Sequence, residues 1–182
     1  MNYPKINIEA ERTANAIFHS IGSPMPSIHE LVKWVEDQFG IKIWIGHGDG
    51  EHFVKISGLT YYDPATDEYR IWIKESDYPR RQNFTLCHEV GHVIRNSGIA
   101  FGFFDGNLYT MNEEERFCNR FAAAFLMPRE VFKEKWEAFS NLDIDLRKVR
   151  MTSIFKVSGE ALGYRLNELG IEKDLRVKKS RQ

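Results

Sequence analysis

Residues 83–96 read NFTLCHEVGHVIRN, which places His88, Glu89 and His92 in the order H-E-x-x-H. Side chains four apart on a helix lie one turn above the other, so the two imidazoles can aim a ring nitrogen at one point, as two ligands of a single ion must. Glu89 lies about 100° around the helix from His88, too far to join the pair as a ligand. It is placed to reach a water on the metal and to act as general base. Zinc suits such a site because it accepts imidazole and carboxylate, keeps a position for water and acidifies that water. The remainder of the segment is filled by Phe84, Leu86, Val90, Val93 and Ile94. Burying two imidazoles in such surroundings without a partner would be costly, and a shared ion removes that cost.

A catalytic zinc takes three protein ligands, so a third must come from elsewhere in the chain. The stretch NEEERFCNRFAAAFLMP (112–128) offers Glu113, Glu114 and Glu115 at the start of an apolar helix. Acidic residues there ordinarily form a solvated face favoured by the helix dipole. Glu115 is the exception, because steps of three and four from it reach Cys118, Asn119, Ala122 and Leu126, the side that packs inward. Glu114 is the alternative. Gly91 costs about 1 kcal/mol in a helix relative to alanine, and close approach of another backbone would explain it. Cys87 projects away from His88, and Cys118 fits a small buried niche.

These groups need elements to hold them. A first helix is expected over 5–20. The capping box SIHE (27–30) opens a second that runs to Gly40 and buries Leu31, Trp34, Val35 and Phe39. From residue 41 the apolar period becomes two: IKIWI, HFVKIS (52–57) and YRIWIK read as strands of a small, largely antiparallel sheet. After Pro79 the period returns to that of helices, over 82–96, 112–126, 129–139, 143–155 and 158–168. The fold class is α+β, one domain over 1–182, with a core over about 1–140 and a helical C-terminal subregion over about 141–182.

FTLCHEVGH and ExxCNRFAAAFLMP, with ISG at 56–58 and VSGEALGYRLNELG at 157–170, resemble the ImmA/IrrE family of metallopeptidases. The resemblance covers nearly the whole chain. It implies a gluzincin-like core in which His88, His92 and Glu115 hold zinc, the last as the first glutamate of an E-x-x-A-N-x-F-A motif, and Glu89 is catalytic. It implies as substrate a helix-turn-helix repressor of mobile elements or stress genes. Cys87 and Cys118 stand where the family usually shows alanine, which would add redox sensitivity if the two thiols come close. Tyr109, His52 and Tyr62 are unranked candidates for stabilising the transition state.

Residues 147–182 carry ten Lys or Arg against four Asp or Glu, whereas the rest of the chain is acidic. IFKVSGEALGYRL resembles the second half of a helix-turn-helix, with Val157 and Ser158 at the turn, and Lys156, Arg165 and the basic tail could contact phosphates. Packing residues dominate that segment, so nucleic acid is the lesser expectation. Competing readings are a DNA- or repressor-binding module with a structural zinc, and a toxin-like partner of an antitoxin repressor. The N-terminal MNYPKINIEAER lacks the apolar core of a signal peptide, two cysteines are too few for a disulfide framework, and no apolar run could cross a bilayer. A cytoplasmic location without membrane attachment is expected.

Overall fold

A computed structural model of the chain describes residues 3–48, 55–96 and 111–171. Local chemistry sets the ends of its first helices, α1 (Tyr3–Ile21) and α2 (Ile28–Phe39). Ser27 and Glu30 close the expected capping box: the Glu30 amide donates to Ser27 Oγ at 3.2 Å, and the Ser27 amide donates to Glu30 Oε2 at 2.7 Å. Gly40 ends α2 at φ 65°, a left-handed conformation that a residue without Cβ adopts freely.

Strands β1 (Lys42–Gly46), β2 (Gly58–Asp63) and β3 (Glu68–Lys74) form one sheet in the order β1-β3-β2. β3 runs parallel to β1 and antiparallel to β2, with Ile43 opposite Ile71 and Leu59 opposite Trp72. The small sheet of an α+β fold is present, with one pairing of each kind. Residues 52–54 of the strand expected over 52–57 lie outside the described residues, and the middle strand in sequence occupies Gly58–Asp63 instead. Both faces of GLTYYD are only partly covered, so it carries no clean alternation to read. Central β3 buries Ile71, Trp72 and Ile73 in succession. Ile71 and Ile73 enter the helical core, whereas Trp72 packs on the other face against Trp44 and donates from Nε1 to the Gly46 carbonyl at 3.1 Å.

Among the described residues five helices follow: α3 (Pro79–Asn96), α4 (Met111–Leu126), α5 (Arg129–Ala138), α6 (Ile144–Phe155) and α7 (Gly159–Glu168). Proline at the first position of α3 removes an amide that would have no helical acceptor. α4 is apolar nearly all round over Phe121–Leu126, and that stretch is buried because α1 and α3 both pack on the helix. Pro128, which cannot continue a helix, separates it from α5. No helix among the described residues is long and apolar enough to cross a membrane.

Arg165 corrects one expectation. It is wholly buried on α7, its Nε and Nη2 donating to the Met127 carbonyl at 3.0 and 2.8 Å. Its Nη1 meets Glu11 at 2.5 Å and Glu168 at 3.2 Å. Apolar neighbours hide a cation that the sequence alone leaves free for phosphate. The exposed face of α7 carries Glu160, Tyr164 and Asn167, none of them cationic; Lys156 remains exposed, and residues 172–182 of the basic tail lie outside the described residues. Arg165→Met leaves a buried carbonyl without its donors and weakens the pairing of two carboxylates, so a loss of about 3 kcal/mol is expected in urea unfolding. The neighbouring Tyr164→Ala, at a solvent-facing position, is expected to cost under about 0.5 kcal/mol.

Candidate metal centre

α3 presents His88 and His92 one turn apart, and their Nε2 atoms lie 3.2 Å from each other. α4 supplies Glu115, whose Oε2 is 3.3 Å from His88 Nε2 and whose Oε1 is 3.3 Å from His92 Nε2. One potential ligand atom from each residue falls within 4.8 Å of the others. Glu115 is half exposed at the cleft, its carboxylate directed to the α3 histidines. Glu114, the alternative, reaches the far side of His92, with its Oε1 2.8 Å from Nδ1. Asn119 does the same for His88, its Oδ1 3.1 Å from Nδ1.

The outer contacts fix the tautomers. An ionised carboxylate only accepts, so His92 Nδ1 carries the proton given to Glu114, and His88 Nδ1 likewise donates to the Asn119 carbonyl oxygen. Both Nε2 lone pairs are then bare and face each other and the Glu115 oxygens. Four acceptors converging at these distances repel, and a cation among them turns repulsion into coordination. Protonating an imidazole is the other way to relieve it, but burial pulls His88 below the usual histidine value, opposed by Glu89. The donor set therefore fits a divalent metal.

Glu89 points off this cluster, as the 100° step requires. It is buried, and its Oε2 accepts from the Thr60 hydroxyl at 2.6 Å. Strand β2 delivers Thr60, and Gly58 on the same strand makes room: a Cβ there would stand 2.5 Å from Thr85 Cγ2 and 3.0 Å from Glu89 Oε1. Neither role has a local sequence signal, although Gly58 falls inside the ISG triplet. Tyr62, also on β2, gives its hydroxyl to Asp67 across the β2–β3 turn and is absent from the contacts of Glu89 and the histidines. His52 and Tyr109 lie outside the described residues.

Gly91 has the reason expected of it. A Cβ would meet the Cys118 Cα at 2.9 Å and its Sγ at 3.1 Å, so α3 and α4 touch backbone to backbone where the two histidines and Glu115 face one another. Cys87 and Cys118 are both free and buried. Burial pushes both thiols well above the usual range, which holds them in the unreactive protonated form and argues against a redox role.

A peptidase family model described as the IrrE N-terminal-like domain matches residues 37–167. The chain is similar to the radiation response metalloprotease IrrE of Deinococcus radiodurans, 36% identical over 92 residues that make up 47% of this chain and 28% of that protein. The chain thus spans under a third of the length of that relative. A Mycobacterium tuberculosis transcriptional regulator of known structure shares the fold, with a TM-score of 0.60 at 22% identity over 91% of this chain and 51% of that one.

Gly91→Ala gains about 1 kcal/mol of helix propensity but drives a methyl group into the α4 backbone, so a net destabilisation of about 1–3 kcal/mol is expected in thermal melts. Gly163→Ala on α7, where an added Cβ meets nothing within 4 Å, is expected to stabilise by about 0.5–1 kcal/mol.

Proposed function

The chain belongs to the IrrE N-terminal-like peptidase family, and on that premise we propose that it is a zinc-dependent endopeptidase that cleaves a helix-turn-helix transcriptional repressor. The observation that carries the proposal is the meeting of His88 Nε2, His92 Nε2 and the Glu115 carboxylate at 3.2–3.3 Å beside a buried Glu89. One ligand atom from each of the three lies within 4.8 Å of the others, and two imidazoles with a carboxylate are a donor set that zinc accepts, which supports this metal. When bound, zinc supplies Lewis acidity to a scissile carbonyl and to water.

His88, His92 and Glu115 hold the ion, while Asn119 and Glu114 keep each imidazole in the tautomer that leaves Nε2 free. Glu89 accepts a proton from the attacking water and returns it to the departing amine. Thr60 occupies one of its oxygens at 2.6 Å, which turns the carboxylate and leaves Oε1 to take the proton. Burial of Glu89 strengthens its interaction with developing charge nearby.

The repressor substrate rests on the family resemblance, and a cytoplasmic location goes with it. For a binding module with a structural zinc, the α7 face free of cations and the buried Arg165 give no support, and such a module has no use for a buried carboxylate beside the metal ligands.

A graded series tests the site. Wild type is expected to bind about one zinc per chain, Glu115→Gln and His92→Ala to lose it, Glu114→Ala to bind about 10–100-fold more weakly through loss of the His92 partner, and Glu113→Gln to match wild type. Metal titration reads all five, and equal affinity in Glu115→Gln would move the third ligand elsewhere. Glu89→Gln is expected to keep zinc yet lose about two to four orders of magnitude in cleavage of a helix-turn-helix repressor co-expressed with it. An immunoblot without fragments from wild type would overturn the peptidase assignment.

A further inference from the structure

Glu115 and Asn119 also line one end of a cleft of about 620 Å³ bounded by α3, α4 and α7. Four arginines line it: Arg80 and Arg81 from the start of α3, and Arg116 and Arg120 from α4. Phe84 and Tyr164 give it apolar surface, Tyr164 being 62% exposed. The metal centre makes no use of any of these six side chains.

Local ion pairing engages only part of the charge of Arg80, Arg81 and Arg120. Among the described residues, Arg81 uses Nε alone, donating to Ser57 Oγ at 2.8 Å and to Asp77 at 3.1 Å. Arg120 meets Glu168 through Nη1 at 3.1 Å, and Arg80 donates Nη1 to the Val157 carbonyl at 3.3 Å. A guanidinium carries five N–H donors in a fixed fork, so most donors of these three arginines have no acceptor among the described residues. Outside the ligand Glu115, Glu160 is the acid on the lining, and it forms no ion pair with them. Anchored guanidinium groups with donors to spare, beside an aromatic surface, match a carboxylate and an apolar side chain carried close together on one chain.

We infer that this cleft is the specificity groove of the site, taking a stretch of substrate polypeptide in which a bulky apolar side chain is flanked by Asp or Glu. The inference rests on the peptidase reading for the consequence of binding, since chain lying in the groove enters the site beside Glu115. It does not rest on that reading for binding itself. The arginines select by charge, and the aromatic surface selects by size.

Two readouts keep the claims apart. The first is fluorescence anisotropy of the full chain, with and without zinc, against two end-blocked decapeptides in a Gly/Ser background, one carrying Glu-Leu-Asp and the other Lys-Leu-Lys. The acidic probe is expected to bind at least roughly tenfold more tightly, with a preference that shrinks as salt is added. Arg81→Gln and Arg120→Gln should each weaken it several-fold, the pair should bring the two probes within about twofold, and Glu160→Gln should strengthen it. Circular dichroism checks folding; if the double variant does not fold, the single variants decide. Equal binding of the probes, or a preference that survives the arginine substitutions, overturns the groove. The second readout is cleavage by the zinc-loaded chain of a quenched peptide pool randomised around a central bond. Faster turnover of pools with Asp or Glu at a fixed position supports the inference, and indifference to charge among cleaved pools overturns it. If no pool is cut, the peptidase reading loses support, and binding alone still judges the groove.

Discussion

Everything at the candidate site depends on how closely α3 and α4 can approach. Two histidines on one helix cannot complete a three-ligand set, and the carboxylate they lack sits on a different helix. Helix axes that pack through ordinary side chains stand about 8–10 Å apart, and the absent side chain of Gly91 lets the α4 backbone come nearer at Cys118. The small residue at 118 matters for the same reason. Alanine, which the resembling family usually carries there, and cysteine are both compact enough to keep the contact.

The sheet and the outer helices can be understood as supports for that contact. β3 buries Ile71 and Ile73 beneath the helices, and β2 stands beside α3 so that Thr60 holds the Glu89 carboxylate. On the other side, α1 packs on α4 with Ala10 and Ala14 buried. Arg95 on α3 pairs with Glu9 of α1 at 2.6 Å and lies 4.3 Å above the Phe117 ring of α4, joining the three helices with one cation. Arg165 does the same at the far end, linking α7 to α1 and to Met127, the residue that follows α4. Both cations lie under apolar cover, so their worth is geometric: each has few ways to satisfy its donors, and those ways fix the relative placement of the helices.

What the sequence disclosed follows how local each constraint is. His88 and His92 were legible because a four-residue spacing on a helix fixes their relation without reference to the rest of the chain. Glu115 was legible at one remove, through the inward phase of α4. Asn119 shares that phase of α4 and, like Glu115, stays exposed at the cleft; its bond to His88 was not legible, since only the packing of the two helices brings them together. Thr60 and Gly58 were illegible as site residues, being about thirty positions from Glu89 on a strand whose partly covered faces leave no alternation. Arg165 misled for a related reason: a charged residue reads as exposed until its partners, here the Met127 carbonyl just past α4 and carboxylates on α1 and α7, are known.

The two cysteines carry a consequence of another kind. Both are sealed in the interior, Cys118 at the contact between α3 and α4, and neither can meet a thiol reagent while the helices stay together. Their rate of modification therefore gauges how often that pair parts. It is a local breathing frequency, separable from global unfolding by its dependence on denaturant. Because the candidate ligands sit on the same two helices, an ion bound across them would slow that breathing, and the thiols offer a clock for metal occupancy that requires no substrate.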